Sequence, residues 1–233
     1  MKNATTHKPL KNKCNILIVE DNLLLADAIE MVLKLKDSKN SAQKINIYKA
    51  LNYENAIEII EEILRDGVLD VVILDINLGN SKGENRKSGE ELGILLREYI
   101  PKTKIIVFTS YNDGLRINSV LKNINPEGFL IKDSTTDHKT LQKVVSKVVS
   151  GQTHYCDTVV SILRKKNKIK QKLDAIDLKL LYELSNATKL KDMPDYVPLT
   201  ISGVEKRRRR LKEIFEVDSD RGLVLQAKAI GFL

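Results

Sequence analysis

Five short apolar runs recur in the first 150 residues: Cys14–Val19, Ile45–Tyr48, Asp70–Leu74, Lys104–Phe108 and Gly128–Ile131. Three of them are nearly all apolar rather than alternating, the pattern of strands buried on both faces of a parallel sheet. The segments between them have helical spacing. Leu24, Ala28, Ile29, Val32 and Leu33 form one stripe, Ala56, Ile59, Ile60 and Ile63 a second, and Leu92, Leu95 and Leu96 a third. Residues 114–122 and 137–149 supply two more helical segments, the second clearer than the first. Five strands alternating with five helices predict a doubly wound α/β domain with a five-stranded parallel sheet over residues 14–150.

Ligands of such sheets bind at the carboxyl ends of the strands. The first run ends in Glu20-Asp21, the third in Asp75, the fourth in Thr109-Ser110 and the fifth in Lys132-Asp133. Helix capping accounts for any one Asp or Thr at such a turn. It does not account for acids, a hydroxyl and an amine after four of the five runs. Clustered carboxylates repel one another unless a cation neutralises them, and hard oxygen donors suit Mg²⁺ or Mn²⁺. Mg²⁺ commonly bridges to phosphate oxygens, so the set points to phosphoryl chemistry. Lys132 would offset phosphoryl charge and the Thr109 hydroxyl would donate to a phosphoryl oxygen. No Gly-rich phosphate loop is present, which argues against a nucleotide-binding NTPase.

These residues resemble the receiver family, the CheY-like domains of two-component response regulators. The matching segments are ILIVEDN at 16–22, VVILDIN at 71–77, FTS at 108–110 and GFLIKD at 128–133. The resemblance implies a flavodoxin-like fold, Asp75 as phosphoacceptor, and a metal held by Glu20, Asp21, Asp75 and the Asn77 main-chain carbonyl. It also implies Thr109 and Phe129 as a switch pair and Lys132 as the phosphate-sensing lysine. Phe129 is equally suited to the core of an apolar strand. The chain departs from the family between Asp75 and Gly89. The segment Asn80–Ser88 is several residues too long and lacks the usual proline, which suggests a mobile loop beside the pocket.

The charge of the chain is +8, and it is uneven. Residues 1–150 carry a net +2 and residues 151–233 a net +6. Charge confined to one region suggests a polyanionic partner for that region. Residues 151–172 form a connecting helix and linker, ending in Arg164–Lys172 with six positive charges in nine residues; self-repulsion makes that run an exposed linker. Residues 173–233 have the apolar spacing of a small all-α helix-turn-helix domain. A helix follows Asp174 with Ile176, Leu180, Leu181 and Leu184 inside. Pro194 and Pro198 shorten the next, with Pro194 near its first turn. Thr200 opens a longer helix with Val204, Leu211, Ile214 and Phe215 inside, and a last helix buries Val224, Ala227 and Ile230. Residues 199–217 and 223–233 resemble the NarL/LuxR-type helix-turn-helix, with Glu205 and Gly203 where the family usually has lysine and threonine. By that resemblance the Thr200–Phe215 helix enters the major groove, with Lys206, Arg209 and Arg210 as candidate DNA contacts.

Residues 1–13 are polar and lysine-dotted, which predicts a loose leader rather than a signal peptide. The longest apolar runs are strand-length, so no membrane partner is expected and the cytoplasm is the expected location. Cys14 and Cys156 lack neighbours at ligand spacing and read as reduced thiols. A haloacid dehalogenase-type phosphatase would share the acid and metal but needs a second Asp two residues after the nucleophile, where this chain has Asn77. The expectation is therefore a non-enzyme that catalyses only its own phosphotransfer and dephosphorylation. Its expected partners are a sensor histidine kinase, double-stranded DNA and, on phosphorylation, a second copy of itself. The alternative is a phospho-switched module whose C-terminal domain grips protein or RNA.

Overall fold

A computed structural model describes residues 13–37, 44–79, 87–133 and 136–233. The leader expected over 1–13 lies outside these residues except for Lys13, and so do residues 80–86 of the long loop. The chain divides into two compact units. One runs to Tyr111 and resumes at Asn123–Cys156; the other takes Asn112–Lys122 and Asp157–Leu233.

The first unit is built on one parallel sheet. Its strands are β1 (Lys13–Val19), β2 (Lys44–Ala50), β3 (Val71–Leu74), β4 (Lys104–Thr109), β5 (Gly128–Ile131) and β6 (His154–Tyr155). Their order is β2-β1-β3-β4-β5-β6, every pair parallel. The sheet thus has six strands where five were expected. The sixth is two residues long, too short for any periodicity to reveal. It is held because His154 N–H donates to the Glu127 carbonyl and Cys156 N–H to the Phe129 carbonyl.

Strand residues alternate between faces. Ile16, Ile18, Val71, Ile73, Ile106, Phe108 and Leu130 form one core with helices α1 (Leu23–Asp37) and α5 (His138–Val149). Their neighbours Leu17, Val72, Ile105, Val107 and Phe129 are equally buried on the other face. That face is covered by α2 (Tyr53–Asp66) and α3 (Gly89–Tyr99), which bury Ile60, Ile63, Leu92 and Leu96. Asn52 caps α2 and Ser88 caps α3, the latter in a reciprocal box with Glu91. In α1 the buried positions are Ala26, Ile29 and Leu33, whereas Leu24 and Ala28 of the expected stripe are exposed.

The second unit holds α4 (Gly114–Asn123), α6 (Asp157–Lys170), α7 (Ala175–Ser185), a 3-10 helix (Leu190–Asp195), α8 (Ile201–Phe215) and α9 (Asp220–Ile230). The basic run expected as a linker is helical through Lys170. Its Ile169 is buried in a core with Leu180, Leu181, Met193, Val204, Leu211, Phe215, Leu223, Ala227 and Ile230. Burial of that one side chain outweighs the repulsion between its lysines. The short second helix is 3-10 rather than α, with Pro194 near its end and not in its first turn. Proline disfavours the α conformation in the residue before it, which sits with a 3-10 rather than an α-helical turn at Met193. Thr200 caps α8 by accepting from Gly203 N–H. In α9 Ala227 and Ile230 are buried as expected, and the third buried residue is Leu223, with Val224 only half-buried.

Candidate functional site

Glu20, Asp21 and Asp75 follow β1 and β3, which are adjacent in the sheet with Val19 opposite Leu74. Pairing in register therefore brings their carboxylates to one edge, with one oxygen of each within 4.8 Å of the others. Asp75 N–H donates to the Val19 carbonyl at 2.9 Å, which fixes the start of its turn. Lys132, after β5, extends back across the edge. Its Nζ lies 2.6 Å from Glu20 Oε2 and 2.6 Å from Asp75 Oδ2. Glu20 and Asp75 are 3% and 4% exposed, so these are buried acids sharing one cation. Burial pushes the Glu20 carboxyl above its ordinary range, opposed by Lys132 and reinforced by the Asp75 charge.

Main-chain N–H groups orient the remaining oxygens. Asn77 donates to Asp75 Oδ1 at 3.0 Å, Gly79 to Asp21 Oδ2 at 3.0 Å and Asn22 to Glu20 Oε1 at 3.4 Å. Thr109, at the end of β4, is fully buried and its hydroxyl accepts from Tyr111 N–H at 3.4 Å. Phe129 has no exposed surface and stands beside Val107 in the β4–β5 pair. The three carboxylates are a hard oxygen donor set that fits Mg²⁺ or Mn²⁺, and Lys132 offsets part of their charge.

One residue escaped sequence reasoning except as a loop marker. Gly89 begins α3, and its N–H donates to the Ile76 carbonyl at 3.1 Å. A Cβ there would lie 1.9 Å from the Asp75 carbonyl oxygen. Only glycine fits against the main chain of the central acid, and that close approach is invisible in a local pattern.

In the second unit the arginine run of α8 divides by partner. Arg207 donates to Asp174 at 2.6 and 2.8 Å and to Asp177 at 2.8 Å. Arg208 pairs with Asp220, the first residue of α9. Arg210, one of the three predicted contacts, donates to Asp177 at 2.7 Å and to the Lys172 carbonyl at 2.6 Å. Asp177 is fully buried, so these arginines fasten α8 to the start of α7. Lys206 and Arg209 are exposed, and neither is in an ion pair among the described residues. The run looked uniform because the acids that bind it are 12 to 33 residues away.

No protein-family model and no curated protein sequence matches the chain. Solved structures do. The two-component response regulator RcsB in complex with DNA is 17% identical, with a TM-score of 0.57 over 94% of this chain and 99% of that one. RcsB of Salmonella typhimurium is likewise 17% identical, with a TM-score of 0.63 over 91% and 98%. RcsB of Salmonella enterica serovar Typhimurium, bound to promoter rprA with phosphomimetic BeF3−, has a TM-score of 0.56 at 17% identity over 93% and 99%. The chain thus has the fold of a two-domain response regulator, a receiver-type parallel sheet followed by a helix-turn-helix unit. No helix among the described residues is long and apolar enough to cross a membrane.

Proposed function

We propose that the chain is a phosphorylation-controlled, DNA-binding response regulator that accepts a phosphoryl group on Asp75 from a sensor histidine kinase and regulates transcription. The observation that carries this reading is the single lysine shared at 2.6 Å by two buried carboxylates at the edge of a receiver-type sheet. A carboxylate oxygen of Asp75 attacks phosphorus as the bond to the donor's imidazole nitrogen breaks. Lys132 is positioned to transfer from the carboxylate to the new phosphoryl oxygens, and the Thr109 hydroxyl to donate to one of them. A divalent cation held by Glu20, Asp21, Asp75 and the Asn77 carbonyl would supply charge neutralisation for the phosphoryl oxygens when bound. Movement of Lys132 and Thr109 biases Phe129 and the surface around it, coupling the charge at the pocket to pairing of two copies.

The fold relatives that were solved with DNA support duplex DNA as the target of the second unit. Lys206 and Arg209 are its leading contacts, since Arg207, Arg208 and Arg210 are engaged with acids. Arg210 stays a candidate through the half of its side chain that is exposed. Two paired copies would present two α8 helices to major grooves about 34–36 Å apart or a multiple of that. The test is selection from a random duplex library by the full chain, with and without acetyl phosphate and Mg²⁺. Phosphorylation is expected to enrich two-fold sites, and Arg209→Ala to abolish that enrichment. Retention of no duplex in either state would refute the reading.

A further inference from the structure

The helix α6 carries cations that neither unit uses. Its inner side is set by Val159 and Ile169, both buried, with Ile162, Leu163 and Lys166 half-buried between them. Ser161, Arg164, Lys165 and Lys168 recur at i, i+3, i+4 and i+7 and therefore share a different face, and Lys172 follows two residues past the helix end. All five line one groove of about 440 Å³, together with Ile214 and Glu216 at the end of α8. None of the four cations is in an ion pair among the described residues. Like charges at this spacing repel along a helix, so the stripe is a concentrated positive field, with Glu216 as the one acid on the groove's lining.

We propose that this face of α6 is a second DNA-binding surface, gripping the phosphodiester backbone of the duplex that α8 enters. The proposal rests on the DNA reading of the second unit and adds to it a surface outside the helix-turn-helix. From Arg164 to its last residue, Lys170, the helix rises about 9 Å. A duplex presents one negative charge per about 1.7 Å of its axis, so about five phosphate charges pass along that length. The groove has no aromatic side chain on which an unpaired base would stack, which favours a duplex backbone over single strands. It also lacks the broad exposed apolar face of a membrane-surface helix. Lysines and an arginine without base-reading geometry would contribute sequence-independent affinity, leaving specificity to Lys206 and Arg209.

The experiment titrates a random-sequence duplex with the full chain at several salt concentrations. The variants are Arg164→Gln/Lys165→Gln/Lys168→Gln/Lys172→Gln and a control that removes as many positive charges from the first unit, Arg65→Gln/Lys102→Gln/Lys139→Gln/Lys143→Gln. Circular dichroism checks that each is folded; glutamine preserves helix propensity. If α6 is unfolded in the fourfold variant, the pair Arg164→Gln/Lys168→Gln is read instead. Removing one phosphate-binding cation lowers the magnitude of the log–log salt slope by about 0.9, so the fourfold variant should drop by about 3 to 4, with at least about tenfold weaker binding at low salt. The control should match wild type. The inference is overturned if the α6 variant keeps the wild-type slope, or if the control drops as much. It is also overturned if single-stranded RNA binds tighter than duplex and depends on the same residues. An unchanged α6 variant alongside a weakened Arg209→Ala would reject the α6 surface alone. Failure of wild type to bind any duplex would reject the DNA reading itself.

Discussion

Replacing Lys132 by methionine removes the only cation within reach of Glu20 and Asp75 among the described residues, at a cost set by the geometry. Both ion pairs are 2.6 Å long and both carboxylates are about 5% exposed or less. With oxygens of the three acids within 4.8 Å, each like-charge pair repels by about 3.5 kcal/mol at an effective dielectric constant of about 20. Removing one partner of a buried pair typically costs about 3–5 kcal/mol, and methionine keeps most of the packing. The first unit is therefore expected to lose about 3 kcal/mol at pH 7 in EDTA, which moves its urea midpoint down by about 1–2 M. The loss should be conditional. Burial already raises the Glu20 carboxyl above the ordinary carboxylate range, and the variant removes the two Lys132 effects that hold it down. A folded state that binds more protons than the unfolded one loses stability as pH rises through the raised value. Acidification should thus restore part of the loss, and a Mg²⁺ ion held by the three acids would do the same. Urea titrations at pH 5 and pH 7, each with EDTA or Mg²⁺, decide the matter. A loss of the same size in all four conditions would show that Lys132 acts by packing and not by charge.

Gly89→Ala places a methyl group against the Asp75 carbonyl and should cost roughly 1–3 kcal/mol, with slower phosphorylation by acetyl phosphate; wild-type behaviour in both would show that the turn yields freely. Asp177→Ala leaves Arg207 and Arg210 without their buried partner and should destabilise the second unit by about 3–5 kcal/mol in thermal melts. Arg209→Ala should change stability by less than about 0.5 kcal/mol while weakening duplex binding, so equal stability losses in these two variants would contradict the division of the run. Thr109→Val should still accept phosphate but show no phosphorylation-linked association by sedimentation; normal pairing would remove Thr109 from the coupling.

The first unit was legible because its information is local. Buried parallel strands need near-continuous apolar runs, and the residue after each run lands at the ligand edge whatever the details of the helices. Glu20, Asp75, Thr109 and Lys132 were therefore placed by strand ends alone. What escaped was non-local. Strand β6 is two residues held by main-chain bonds, and Gly89 matters because a distant carbonyl approaches it. The second unit was harder for the same reason. Its arginine run reads as one basic face until Asp174, Asp177 and Asp220 fold onto it. The helix α6 reads as a linker until Ile169 finds a core contributed by residues from Leu180 to Ile230.

On the proposed reading, Asp75 accepts a phosphoryl group in a pocket completed by Glu20, Asp21 and Lys132. Intact-mass spectrometry of the full chain after treatment with acetyl phosphate and Mg²⁺ measures it directly. One phosphoryl adduct is predicted, absent in EDTA and absent in Asp75→Asn. An adduct of undiminished intensity in Asp75→Asn, or no adduct on the wild-type chain under any metal condition, would contradict it.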